Sequence, residues 1–159
     1  MSGCTTKTLR NEQLWYTLSV PKTWTTENGV IKSDKGETIT IVRIHNDARI
    51  GVLIDSTRKN IRRDMVGFVI ESESKKPVSG HCAWKLVGAH RPDKNGPEYV
   101  IIRAIIDTNK KKAKDCEGSY DAGVFKYIIM IKTLSENYNN RKKILDKVLK
   151  SFAFKLPEY

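Results

Sequence analysis

The sequence predicts an α+β fold, a central and largely antiparallel β-sheet flanked by helices. Three observations point there. Several segments alternate apolar and polar residues, one C-terminal segment carries an apolar stripe at helical spacing, and most connections between strand-like runs are too short for parallel crossovers. A chain of 159 residues suits one domain with a core of its own. Residues 1–11 read as a polar N-terminal tether and 12–159 as the domain.

The elements follow in order. From Leu14, alternation puts Leu14, Tyr16, Leu18 and Val20 on one face of a strand that Pro21 ends, since proline cannot donate to a ladder. "NGV" (Asn28–Val30) and "DKGE" (Asp34–Glu37) mark turns around a short strand, "VIKS". "TITIVRI" (Thr38–Ile44) is the next strand, so the first third reads as a β-meander. Arg49–Ile54 is β-branched and fits either a strand or the approach to a helix. "DSTRKNIRRDM" predicts a short helix capped by Asp55 or Ser56, with Ile61 and Met65 one turn apart.

"VGFVIES" and "HCAWKLVG" (His81–Gly88) are strands, the second with Cys82, Trp84 and Leu86 on one side. The turn cluster "RPDKNGP" (Arg91–Pro97) joins it to "EYVIIRAIID" (Glu98–Asp107), apolar on both faces and therefore central. A long polar connection, Thr108–Gly123, leads to a second central strand, "VFKYIIMIKTL" (Val124–Leu134). In "NRKKILDKVLKSF", Ile144, Leu145, Val148, Leu149 and Phe152 share one helical face, with Lys142, Lys143, Asp146 and Lys147 opposite. That stripe needs a sheet to lie on.

Charged residues make up 30% of the chain and apolar ones 39%, which excludes a disordered segment. No apolar run approaches the roughly 20 residues of a membrane-spanning helix. The formal charge of +11 suits a polyanion or anionic membrane surface. The candidate contacts are Arg58, Lys59, Arg62 and Arg63 in one cluster and Lys110, Lys111, Lys112 and Lys114 in another. A third cluster is "NRKK" (Asn140–Lys143). No nucleic-acid-binding motif accompanies them, so nucleic acid is not the expected partner.

Catalytic candidates are weak. Ser79 and Ser119 lie beside glycines, yet "GSYDAG" is not a nucleophile elbow. The pairs Asp115 with Glu117 and Glu71 with Glu73 fall in polar segments. No phosphate loop, dinucleotide fingerprint or zinc-protease motif is present, so no catalytic residue and no cofactor is assigned. His81, Cys82 and Cys116 lack the paired spacing of a zinc site, and no metal is assigned. His45 and His90 read as solvated side chains near turns.

Three stretches together resemble one family. "YTLSVPKTW" (Tyr16–Trp24) is similar to its opening strand, "VSGHCAWKLV" (Val78–Val87) to its middle strand, and "ILDKVLKSFAF" (Ile144–Phe154) to its last helix and extended tail. This is the PsbP-like group, which includes Mog-type Ran-binding proteins and bacterial lipoproteins. The resemblance implies an α-β-α sandwich over most of Leu14–Phe154, and a member that binds other proteins rather than catalysing. It carries over no metal-binding or Ran-contact residue.

"MSGC" resembles the last positions of a bacterial lipobox, in which small residues precede a cysteine that is lipidated after cleavage. Met1 stands where leucine is usual, either as a start residue or as a variant of that position. The resemblance implies lipidation at Cys4 and an extracytoplasmic place in the cell envelope, anchored to the membrane by lipid. In an oxidising envelope Cys82 and Cys116 form a disulfide or remain buried thiols; spacing does not choose. The expected function is a lipid-anchored, non-catalytic assembly or protein-binding factor. The alternatives are a basic module for anionic lipid or other polyanions, and an enzyme with an unrecognised site.

Overall fold

The computed structural model describes residues 5–78, 81–109, 116 and 120–156. The elements are β1 (Thr6–Asn11), β2 (Tyr16–Pro21), β3 (Thr25–Glu27), β4 (Val30–Lys32), β5 (Thr38–His45), α1 (Ile50–Asp64), β6 (Val69–Ser74), β7 (Ala83–His90), β8 (Tyr99–Asp107), β9 (Phe125–Leu134), α2 (Ser135–Lys150) and β10 (Ala153–Phe154). They form a seven-stranded sheet in the order β3-β4-β5-β9-β8-β7-β6 and a three-stranded sheet in the order β1-β2-β10. Neighbouring strands in both sheets run antiparallel.

β8 and β9 lie at the centre, as their two-sided apolar character predicts, in register from Tyr99 opposite Leu134 to Asp107 opposite Lys126. Their flanks are β5 and β7. The β3–β4 hairpin turns at Asn28 (φ 52°) and Gly29 (φ 77°), the two left-handed positions of a tight primed turn, which asparagine and glycine tolerate best.

The first third is divided between the two sheets instead of forming one meander. Thr6–Asn11, expected within a polar tether, is a strand paired along its length with β2. Its alternation is nearly all polar, so the apolar pattern misses it; only Leu9 packs on the core. The second sheet closes when β10 pairs through Ala153 and Phe154 with Thr17 and Tyr16.

α1 also departs from expectation. It starts at Ile50, and Asp55 and Ser56 lie inside it. Its N-cap, Arg49, makes no side-chain capping bond. The first-turn amide of Ile50 instead donates to the Tyr120 hydroxyl at 2.9 Å, a cap supplied from 70 residues away. No local signal encodes such a partner.

The helices take opposite faces of the large sheet. α2 buries Leu145, Val148 and Leu149 and leads into buried Phe152, in a core shared with Tyr16, Leu18 and Val20 of the small sheet. α1 buries Ile50, Ile54 and Ile61 against Cys82, Trp84, Leu86 and Ile105. Among the described residues, no helix is long and apolar enough to cross a membrane.

Candidate functional site

Among the described residues, the basic candidates on α1 and those on α2 do not converge. Cys4, Lys110, Lys111, Lys112 and Lys114 lie outside the described residues, as do Ser79, Asp115, Glu117 and Ser119. Arg58 is not a free surface cation. Its guanidinium pairs with Glu73 at 2.8 Å and with Asp55 at 3.2 Å, and it lies 6.0 Å from the centroid of the Trp84 ring. The same Glu73 carboxylate accepts from the Trp84 indole at 3.0 Å, so this carboxylate serves packing. Lys59, Arg62 and Arg63 are exposed on α1, with Arg63 bound to neighbouring Asp64. Lys142 and Lys143 are exposed on α2, across the sheet from α1. The helical basic clusters therefore face opposite ways.

Cys82 and Cys116 are joined as a disulfide, with an S–S distance of 2.07 Å. It ties the long connection before β9 to the start of β7. Neither sulfur is then a thiolate ligand for a metal. His81 instead places Nδ1 3.1 Å from the Asn109 carbonyl and its ring 4.5 Å from that of Phe154. His45 contacts Phe125 edge to face at 5.5 Å.

The same connection is secured by a charged cluster that the sequence reading did not single out. Lys126 and Asp107 are fully buried and 3.2 Å apart. Lys126 also donates to the carbonyls of Asn46 (2.6 Å) and Gly123 (2.7 Å). Asp107 accepts from the Tyr120 hydroxyl (2.6 Å) and the Gly123 amide (2.9 Å). Burial, then the bond to Asp107, pushes the Tyr120 phenol well above its usual range. With these partners in place the cluster is a buried fastening between α1, β5 and the connection. The visible signal was a charge inside an apolar run: Lys126 in "VFKYIIMIKTL" and Arg103 in "EYVIIRAIID".

A second fastening joins α2 to β5. Buried Glu37 receives Arg141 through both oxygens, at 2.8 and 2.9 Å, and Ser33 at 2.6 Å. Such a two-pronged pair positions as well as neutralises.

One hollow lies where the small sheet meets the large one, lined by Val78, His81, Ile106, Phe152, Ala153 and Phe154, with a volume of about 80 Å³. That is well below the roughly 300 Å³ at which ligand pockets begin. Among the described residues no group of three histidines, cysteines or carboxylates could hold a metal ion.

No protein-family model and no curated protein matches this sequence. Solved structures do. The PsbP protein (CyanoP) of Synechocystis is 11% identical with a TM-score of 0.62, covering 97% of this chain and 95% of its own. LpqN of Mycobacterium tuberculosis, described as involved in cell envelope biogenesis, is 15% identical with a TM-score of 0.65, covering 96% and 91%. The Ran-binding protein Mog1p of Saccharomyces cerevisiae is 12% identical with a TM-score of 0.57, covering 96% of both chains. The fold is PsbP-like. Coverage that is nearly complete in both directions extends the likeness from the three motif stretches to the whole PsbP-like domain. At such low identity the likeness is one of fold and transfers no site residue.

Proposed function

We propose that this PsbP-like protein is a lipid-anchored bacterial envelope protein that binds another protein, as an assembly or stability factor, without catalysing a reaction. The observation that carries the reading is the Cys82–Cys116 disulfide, since such bonds persist in oxidising compartments and are rare in a reducing cytosol. Cys4 beside Ser2 and Gly3 supports the anchor, and the fold shared with LpqN supports the envelope.

The position of β1 sharpens this reading. Thr5 already belongs to the folded body, because its carbonyl accepts the Lys22 amide at 3.1 Å. A lipid on Cys4 would thus hold the domain close against the membrane, with the Thr6 and Pro21 ends of β1 and β2 nearest the headgroups. Exposed basic side chains near a bilayer surface add roughly 1 kcal/mol each to attraction for anionic lipid, screened by salt.

The test places a bacterial lipoprotein signal sequence ahead of Cys4 and supplies a palmitate analogue. Labelling and membrane fractionation are the expected results, and Cys4→Ala abolishes both while circular dichroism stays the same. Unlabelled protein in the soluble fraction of such cells overturns the anchor.

A further inference from the structure

Among the described residues, the face of the large sheet that carries α1 is only partly covered. α1 packs on β7 and β8. A helix is about 10 Å wide and strands lie about 4.8 Å apart, so one helix shields about two strands. The same face continues over β9 and β5, where Val42 stands opposite Ile128, Thr40 opposite Met130 and Thr38 opposite Lys132. These side chains alternate with Ile39, Ile41, Ile129 and Ile131, which fill the core beneath α2. Val42 is 49% exposed, and Ile44 and Met130 are half-buried. A solvated face of an antiparallel sheet normally turns polar. Here valine, isoleucine and methionine adjoin.

Arg103 stands at the border of this shelf, directly across from Met130. Its Nη2 lies 3.4 Å from the Met130 sulfur, a weak acceptor, and its Nε is buried with no partner. Among the described residues no carboxylate forms an ion pair with it. Burial pulls the guanidinium below its usual range, and Asp64 acts on it only through space. The Asp64 carboxylate is already held by Arg63 at 2.8 Å. Arg43, on the other face, also buries one nitrogen, Nη1, without a hydrogen-bond partner, but its guanidinium lies 4.3 Å from the Trp15 ring and 4.7 Å from the Phe125 ring. Lys132, the next shelf residue along β9, adds a second cation, 4.1 Å from the Tyr99 ring.

We propose that an acidic amphipathic helix of another protein docks on the β5–β9 face beside α1, its apolar stripe on Val42, Ile128 and Met130 and a carboxylate on Arg103. Among the described residues no helix lies over β5 and the outer side of β9, Ile128 being already packed on the α1 cluster; the exposed centre at Val42 is apolar, and the cation at its border is met by an acid. Arg103 is half-buried, and an arginine that a partner desolvates completely beside an apolar patch is the usual make-up of an interface hot spot. The proposal rests on the reading of this chain as protein-binding, and not on its anchor.

The probe is a synthetic helix-forming peptide about 16 residues long, with leucines at i, i+3, i+4 and i+7 flanked by glutamates. Two control peptides replace either the glutamates by glutamine or the leucines by serine. Binding to the full chain is followed by amide and arginine Nε–H chemical shifts. The expected shifts fall on β5, β9 and Arg103, and both controls bind at least about tenfold more weakly. Arg103→Gln and Val42→Asp each weaken binding by a similar factor, whereas Lys142→Glu on the opposite face leaves it unchanged. Thermal melts establish that each variant folds, and Val42→Asp alters only an exposed side chain. Absence of binding, equal binding of the serine control, shifts spread over the α2 lysines, or affinity unaltered in both shelf variants overturns the proposal. A chain that labels with palmitate but ignores the peptide loses this surface and keeps its place in the envelope.

Discussion

Lys126 and Asp107, fully buried and 3.2 Å apart, show what a single residue can decide here. Lysine is almost never fully buried without partners, and this one has three oxygens around it. Removing one member strands the other charge. Lys126→Met should therefore cost about 3–5 kcal/mol in urea unfolding, and the Lys126→Met, Asp107→Leu double variant distinctly less than twice that. Equal additive losses would show that the two act separately. Tyr120 makes a second prediction at this scale. Its folded pKa is raised by burial and by the bond to Asp107, while the unfolded phenol titrates near 10. Above about pH 10 the unfolded chain releases a proton that the folded chain retains, so stability falls as pH rises. Tyr120→Phe should flatten the alkaline limb of a stability profile. It should not abolish that limb, because Tyr16, Tyr127 and Tyr138 are shifted in the same direction.

At the scale of elements, α2 and β1 carry the sharpest expectations. Leu149 is 9% exposed on the buried stripe of α2. Leu149→Ala should cost about 2–5 kcal/mol through lost transfer energy and the cavity left behind. An unaltered melt would mean that the stripe is not docked. β1 tests whether the N-terminal segment is a leash or a strand. Leu9 packs on the main core, and the whole of β1 pairs with β2. Leu9→Asp should destabilise by about 1–3 kcal/mol, a loss that a free tether would not show. α2 was legible because its stripe lies within five turns of one helix. β1 was not, since this edge strand of a small sheet packs a single apolar side chain, half-buried Leu9, on the core and spells polar alternation.

For the whole molecule, the disulfide spans 34 residues of sequence and ties the connection before β9 to the sheet. Opening such a loop should lower stability by about 3–4 kcal/mol on the chain-entropy account. The measurement compares urea midpoints with and without reductant, and a Cys82→Ala, Cys116→Ala variant should match the reduced protein within its cavity cost. Coinciding midpoints would mean that the bond is not formed in solution. The overall charge behaves differently at this scale than along the chain. The basic clusters of α1 and α2 face opposite ways, so the two helices do not join their cations into one surface. Sequence separation alone does not show this, because the direction a cluster faces is set by which side of the sheet its helix packs on.

The sequence by itself determined the α+β class, the two central strands, the terminal helix and its buried face. Each of these depends on periodicity within one segment, and burial enforces that period wherever the segment ends up. It also confined the envelope argument to Cys4, Cys82 and Cys116. The tertiary structure alone decided that β1, β2 and β10 leave the main sheet, that α1 begins at Ile50 under a distant tyrosine cap, and that Cys82 meets Cys116. It alone decided that Lys126 has partners while, among the described residues, Arg103 has no carboxylate of its own. These are relations between residues tens of positions apart, and a long-range contact leaves its mark only on the two residues that make it, not on the stretches between.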